Sequence, residues 1–292
     1  MKQFDPGFAA HVAGGATTLA WCWWLERRDG VALGFTDHDR PLTFDGRVFA
    51  PAHGLEGGET ADKLGAQTQT SEVLGVISSE AIAEDDIVQG RYDGARIESW
   101  RVNWRQVDER ARIRVDTLGE ITREDGIFRA ELRSGQHAMN VPQGRLYQHL
   151  CDARLGDGRC GVDMEGAAHR LAASVVAVMG PSAVEVSGLD AHPPGWSVHG
   201  MVHWTGGRRA GLRDAILGQA GPVLTLARPV GDWVKAGDTL TVLAGCDKQF
   251  STCRRKFGNG VNFQGFPHIP GNDFVLRYPQ SGDRLDGGRV VR

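Results

Sequence analysis

The sequence lacks the features of several large protein classes. No stretch of its 292 residues approaches the roughly 18 consecutive apolar residues that a membrane-spanning helix needs. The amino terminus, MKQFDPGFAA, has neither the apolar core nor the cleavage site of a secretory signal. We therefore expect the chain to be made and folded in the cytoplasm, where thiols stay reduced.

The common catalytic motifs are also missing. The sequence contains no HExxH, P-loop or nucleophile-elbow pattern. Residues 37–39 (Asp-His-Asp) are of types used in acid–base or metal sites, but they adjoin a predicted hairpin, where such a cluster is more often a turn. His192, His199 and His203 lie in a proline–glycine loop and its neighbouring strand, which explain them equally well. The sequence thus predicts a protein that is not an enzyme.

The charge pattern gives little reason to expect nucleic acid as a partner. The net charge is -3, so the chain as a whole does not attract polyanions. Residues 52–88 hold eight acids and one lysine, whereas residues 246–292 hold eight bases and four acids. Such opposed patches can orient one subunit against another, although two solvated faces would explain them as well. The basic excess is too small to predict specific nucleic-acid binding.

Glycine is abundant, with 40 residues, roughly twice the average frequency. The glycines are scattered between short apolar runs, a pattern typical of tight turns and strand ends. Asp-Gly pairs at 29–30, 45–46 and 125–126 each lie between apolar runs and predict hairpins. Alternation in the first run predicts two faces, with one formed by Trp21, Trp23 and Leu25 and the other by Cys22 and Trp24.

The patterns along the chain predict a mainly β protein. We expect short helices at 5–13 and 78–86, and strands at 95–104, 111–121, 126–132, 172–179, 183–186, 201–205, 222–226 and 239–242. The spacing is typical of a β-barrel or sandwich, with a smaller mixed, loop-rich C-terminal domain. The predicted domains are an N-terminal β-barrel or sandwich at 1–140, a small inserted β domain at 165–244, and a cysteine-bearing domain made of 141–164 and 245–292.

Four of the five cysteines form two pairs. Eight residues separate Cys151 from Cys160, six separate Cys246 from Cys253, and residues 161–245 lie between the pairs. Each pair is predicted to join a short helix, at 145–150 and around Cys253, to a glycine-bearing turn that lets the backbone approach a common point. The fifth, Cys22, lies in a tryptophan-rich strand and is interpreted as a small core residue.

The spacing leaves four explanations for the two pairs. Structural zinc sites usually have ligand pairs only about two to four residues apart, although irregular zinc sites exist. An iron–sulfur cluster takes four thiolates and tolerates varied spacing. Two disulfides would require an oxidising environment, and unpaired core cysteines remain an alternative. The spacing favours an iron–sulfur cluster without excluding the others.

The residues around the second pair fit a buried site. Asp247 is expected to cap the helix that contains Cys253, and Gly258 to end it. Three bases are expected to lower thiol pKa and to offset the charge of bound thiolates: Arg254, Arg255 and Lys256. The amide side chains of Asn259, Asn262 and Gln264 are expected to bond locally in the following loop, and Pro267 and Pro270 to stiffen it. Phe257, Phe263 and Phe266 are expected to shield the site from water.

Three segments carry a resemblance to a known family. LCDARLGDGRCGVD, GCDKQFSTCRRKFGNGVNFQGFPHIPG and, in the N-terminal half, GFTDHDRPLTFDGRVFAPA resemble the tail-tip (baseplate) hub proteins of siphophages, prophages and gene transfer agents. The sequence is similar to the iron–sulfur tail-tip protein of phage lambda, whose cluster cysteines have the same two-pair arrangement. The resemblance implies a [4Fe-4S] cluster held by Cys151, Cys160, Cys246 and Cys253.

The resemblance also implies a fold, an assembly and a place in a particle. It implies an N-terminal β-barrel hub domain and a homotrimer that links the distal tail protein to the central tail-tip protein. The chain would be made in the bacterial cytoplasm and assembled into the baseplate of a virion-like particle. A cluster there would cross-link two segments distant in sequence. The alternatives are an iron–sulfur electron-transfer protein and a zinc-stabilised structural tail protein.

Overall fold

The computed structural model describes residues 4–52, 70–73, 82–124, 127–140 and 144–269, together with residues 282 and 286. The chain divides into two compact units, residues 1–142 and residues 143–292. The predicted turn at 125–126, residues 78–81 of the predicted acidic helix, and Pro270 lie outside the described residues.

The first unit is built around one mixed sheet. Its strands are β1 (Leu19–Glu26), β2 (Ala32–Thr36), β3 (Leu42–Phe44), β4 (Arg47–Pro51), β5 (Thr70–Val73), β6 (Arg96–Asn103), β7 (Arg110–Glu124) and β8 (Ile127–Ser134), and its helices are α1 (Pro6–Ala13), α2 (Glu84–Val88) and α3 (Gly135–Met139). The strand order is β3-β4-β2-β1-β6-β7-β8-β5. The β2–β4 pair is parallel, and the other neighbouring strands are antiparallel.

The two faces predicted for β1 are confirmed. Trp23 and Leu25 are buried in one apolar cluster of the first unit. Cys22 is buried in a second cluster, with Phe49 and Val102. Burial raises the pKa of Cys22 to about 11, and its thiol donates to the Thr36 hydroxyl, so this cysteine is a core residue, as predicted.

The two predicted Asp-Gly hairpin turns that lie within the described residues connect adjacent strands, as the sequence predicts. Asp29 and Gly30 lie between β1 and β2, which pair with each other in an antiparallel register. Asp45 and Gly46 join β3 to β4 with φ of 52° and 71°. A two-residue hairpin turn of this kind needs positive φ at both positions, which aspartate tolerates and glycine favours.

The second unit contains a closed six-stranded barrel. Its strands are β9 (Arg170–Gly180), β10 (Ala183–Val186), β11 (Met201–Trp204), β12 (Arg213–Ala220), β13 (Val223–Leu226) and β14 (Thr239–Leu243), and helix α4 (Phe250–Lys256) follows them. The barrel order is β10-β13-β12-β11-β14-β9. The mainly β class is therefore confirmed. The closed barrel lies in this unit, whereas the described strands of the first unit join into the sheet given above.

The barrel closes between its first and last strands. β9 and β14 pair antiparallel, with Arg170 opposite Leu243, and the Ala244 N–H donates to the His169 carbonyl at 2.9 Å. The chain therefore enters and leaves the barrel at neighbouring points. At the exit, Gly245 has no room for a side chain, because a Cβ there would lie 1.7 Å from the Val198 carbonyl oxygen.

A buried ion pair lies within the barrel core. The Arg209 guanidinium Nη2 donates to Asp214 Oδ2 at 2.7 Å, and Trp204 Nε1 donates to the same oxygen at 2.6 Å. Arg209 is 2% exposed and Asp214 is 1% exposed. Each charge therefore depends on the other, because burying either one without a partner would be strongly unfavourable.

We expect Asp214→Ala to destabilise the protein by about 3–5 kcal/mol, because it leaves the Arg209 charge buried and unpaired. Urea unfolding followed by circular dichroism measures the change. Glu165→Ala removes the exposed partner of Arg170 and is the matched control, with an expected change within about 1 kcal/mol. Equal unfolding midpoints for the two variants would contradict this account of the barrel core.

Candidate cofactor site

The four paired cysteines line one pocket of the second unit. Cys160 and Cys253 are buried, Cys151 and Cys246 are half-buried, and all four are free thiols. The remaining lining is mostly apolar and consists of Ala153, Leu155, Val162, Phe257 and Phe263, with Lys248 and Asn262. The structure thus brings together two pairs of thiols that are far apart in sequence.

The pocket is not a closed coordination sphere for one ion. Within the part of the chain that the structure describes, no three His, Cys, Asp or Glu side chains are grouped so as to hold a single metal ion. The site is defined by the four thiols and their shared apolar surroundings. The role of these cysteines as ligands stays a prediction.

Burial is the main influence on the pKa of two of these thiols, Cys253 and Cys246. It raises the pKa of Cys253, and the nearby thiols of Cys246, Cys160 and Cys151 raise that pKa further. The pKa of Cys246 is also raised by burial, against the opposing effect of the Lys248 N–H. These mutual effects fit four thiols that share a weakly hydrated space.

The prediction that residues 254–256 lower the thiol pKa is wrong for Cys253, because burial dominates there. Arg255 is exposed, and its Nε donates to the Ser251 carbonyl at 3.4 Å. The Lys256 ammonium donates to the carbonyls of Trp196 at 2.5 Å and Gly245 at 2.7 Å, so it ties α4 to the chain around the barrel exit.

The loop of the first pair is organised by one carboxylate. Asp157 Oδ1 accepts hydrogen bonds from the N–H groups of Cys160 at 2.7 Å and Arg159 at 3.0 Å, and Oδ2 accepts one from the Arg154 N–H at 2.9 Å. These bonds lower the pKa of Asp157, with the bond from Cys160 contributing most. A single side chain thereby fixes the loop that carries Cys160.

The prediction of a helix at residues 145–150 is wrong. This segment is not helical, and its polar groups bond instead to the loop beyond α4. Arg145 Nη2 donates to the Gln264 carbonyl at 2.7 Å, and the Phe266 N–H donates to the Gln148 carbonyl at 2.9 Å. These longer-range bonds replace the local ones that a helix would make.

The helix that carries Cys253 is α4, and Gly258 follows its end with φ of 60°, as predicted. The N-cap position is Gln249 rather than Asp247, which lies two residues earlier. Asp247 nevertheless supports the helix start, because its carboxylate accepts from the Gln249 N–H at 3.0 Å and from the Thr252 hydroxyl at 2.8 Å. The prediction that Asp247 caps this helix is therefore wrong.

Two further residues bond across the cysteine segments, and the first is Lys248, to which no sequence pattern pointed. Its carbonyl accepts from the Cys151 N–H at 2.9 Å, and its ammonium donates to the Ala153 carbonyl. Its φ of 66° is uncommon for a side chain of this size. The second residue is Asn259, whose Nδ2 donates to the Cys160 carbonyl at 2.6 Å.

The loop beyond α4 bonds locally, as the sequence predicts. Asn262 Nδ2 donates to Asn259 Oδ1 at 2.8 Å, and Gln264 Nε2 donates to the Asn262 carbonyl at 3.2 Å. Two of the three predicted shielding phenylalanines line the pocket. Phe266, the third, packs against Tyr147, with ring centroids 4.5 Å apart.

Residues 37–39 form a turn, in agreement with the preferred interpretation of the sequence. Asp37 Oδ1 accepts from the Trp21 N–H at 2.7 Å, and burial raises the Asp37 pKa. His38 Nδ1 accepts from the Arg40 N–H at 3.0 Å. The Asp37 and His38 side chains therefore accept hydrogen bonds from backbone N–H groups.

The three histidines singled out in the sequence, His192, His199 and His203, are each explained by their local contacts or burial. His192 stacks on Trp196 with ring centroids 3.9 Å apart. His199 takes a left-handed conformation, and its N–H donates to the Ile216 carbonyl. The pKa of His203 is lowered by burial and by nearby arginines.

Comparisons with known proteins place the chain in a structural class. Residues 5–163 match the family model for the baseplate hub protein, N-terminal attachment domain, and residues 195–273 match the model for phage conserved hypothetical protein BR0599. A search of curated proteins found no match. Among the described residues, no helix has the length and apolar character needed to cross a membrane.

The first match covers more than half of the sequence, and the chain therefore belongs to the baseplate hub protein family of phage-like tails. A solved structure of the virion of a native gene transfer agent particle contains a similar chain. The two are 39% identical, with a TM-score of 0.84 over 98% of this chain and 99% of the other.

We expect Asp157→Ala to loosen the Cys160 loop and lower the melting temperature, because three backbone N–H groups lose their acceptor. The folded-state pKa of Asp157 is depressed, so its contribution is present above the ordinary value of 3.8 and is lost as pH falls through the lower folded pKa. Melting curves of wild type and Asp157→Asn, recorded from neutral to acidic pH, measure this. A constant difference between them across that range would contradict it.

Proposed function

We propose that this chain is a non-enzymatic hub of a gene-transfer-agent or phage-like baseplate, stabilised by a [4Fe-4S] cluster. The cluster would be held by Cys151, Cys160, Cys246 and Cys253. A homotrimer of hubs would link the distal tail protein to the central tail-tip protein. Membership of the hub family supports the structural role, and the cluster is the finer part of the proposal.

The observation that carries the cluster proposal is the shared pocket of four thiols. An iron–sulfur cluster needs four thiolates, a largely dry surround and hydrogen-bond donors near sulfur. The pocket offers the first two through its cysteines and its apolar lining. The Lys248 N–H at Cys246 and the Asn259 amide near Cys160 offer the third.

The electrostatics of the pocket fit a bound cationic centre. Burial, together with the other three thiols nearby, raises the pKa of Cys253. Bound iron would stabilise the thiolate form, while Lys248 adds positive charge at the pocket wall. The chain's own residues would thus position the thiols, exclude water and balance charge.

The structure also suggests how the site and the barrel support each other. The barrel entrance and exit lie side by side at His169 and Ala244, so both cysteine segments start from one place. Metal–thiolate bonds would join these segments covalently and hold the region around the barrel ends in one arrangement. We take this mechanical linkage to be the purpose of the site in a particle that must withstand force.

Metal analysis tests the cluster. We expect chain purified without oxygen to be brown, with about four irons and four acid-labile sulfides per chain. Cys253→Ser should lose the visible absorption and most of the iron, and should unfold at a lower temperature. Cys22→Ala is the matched control, because this buried cysteine lies in the other unit, and it should keep the full iron content.

Metal analysis and a titration with a redox partner together separate the alternatives. Colourless protein with one zinc per chain would replace the cluster by a zinc-stabilised tail protein. A cluster that exchanges electrons stoichiometrically with a redox partner would favour an electron-transfer protein. Protein free of iron and sulfide even after anaerobic reconstitution would refute the cofactor proposal and leave the family assignment in place.

The assembly proposal predicts a trimer. Native mass spectrometry of the purified chain, alone and mixed with a distal tail protein, should give three copies per hub ring. A stable monomer under both conditions, or a ring of another number, would contradict the homotrimer.

A further inference from the structure

We infer that Asn259 is a positioning residue for the proposed cluster: its side-chain amide donates toward the Cys160 sulfur and raises the reduction potential of the site. This inference rests on the cluster proposed above. Asn259 is not one of the four proposed ligands. The reduction potential is also a property that the structural role of the hub does not require.

Asn259 contacts both cysteine pairs. Its Nδ2 lies 2.6 Å from the Cys160 carbonyl oxygen and 3.8 Å from Cys160 Sγ. Its own N–H donates to the Cys253 carbonyl at 3.0 Å, and its carbonyl oxygen lies 3.3 Å from Cys253 Sγ. One residue thus lies between a thiol of the first pair and a thiol of the second.

The orientation of the amide is fixed at both ends. Asn262 Nδ2 donates to Asn259 Oδ1 at 2.8 Å, so this atom must be the acceptor. The opposite end faces the Cys160 carbonyl, which can only accept, so that end must be the NH₂ group. An NH₂ group has two hydrogens, and with one directed to the carbonyl the other is available to the sulfur.

The consequence for a cluster follows from charge. Reduction adds negative charge to the irons and their thiolates, and an N–H directed at sulfur stabilises that charge. The low polarity around Val162 and Phe263 strengthens the interaction. The Asn259 amide should therefore make the cluster easier to reduce.

Midpoint potentials of the anaerobically purified, cluster-loaded chain test this. Asn259→Ala should shift the potential to a more negative value, and Asn259→Asp should shift it further, because it replaces the donor by a negative charge. Asn262→Ala should give a smaller shift in the same direction, since it frees the Asn259 amide to rotate. Cys22→Ala, which lies in the other unit, is the control and should leave the potential unchanged.

The outcomes separate this inference from the proposal beneath it. Wild-type chain without iron and sulfide would overturn both. Loaded Asn259→Ala with the wild-type potential would overturn the role of Asn259 alone. If Asn259→Ala does not load, Asn262→Ala decides, because it retains Asn259: a negative shift supports the inference and an unchanged potential overturns it.

Discussion

The pairing of β9 with β14 is the constraint on which the arrangement of the second unit depends. It closes the barrel, and it also brings His169 and Ala244 within hydrogen-bonding distance. Two segments far apart in sequence therefore begin at one point, and the entropy cost of bringing them together is already met by the barrel fold. The thiol pocket is a consequence of barrel closure combined with a few specific bonds beyond it.

Those specific bonds are formed by both backbone groups and polar side chains. Asp157 holds the Cys160 loop, Lys248 joins the Cys151 backbone to the second segment, and Asn259 joins the second segment back to Cys160. Apolar groups fill the remaining lining. The four thiols in the pocket are free.

Features set by local sequence were predictable, whereas those set by distant contacts were not. The faces of β1 and the Asp45–Gly46 turn follow from alternation and from backbone preference, and both are as predicted. Strand β12 was missed because RDAILGQA begins with charged residues and carries a glycine beside an irregular register. The segment at 145–150 had helical character, but its bonds to the loop near Gln264 override that preference.

The same limit applies to the candidate site. The four cysteines could be identified from their spacing and from family resemblance, but the importance of Lys248 could not, because it depends on a left-handed backbone and on partners almost a hundred residues away.

Barrel closure has a further consequence. A domain whose two ends meet can gain longer outer loops, or be exchanged for another such domain, without moving the cysteines. Related tails could therefore diversify their outer surfaces at this position while keeping one unaltered joint.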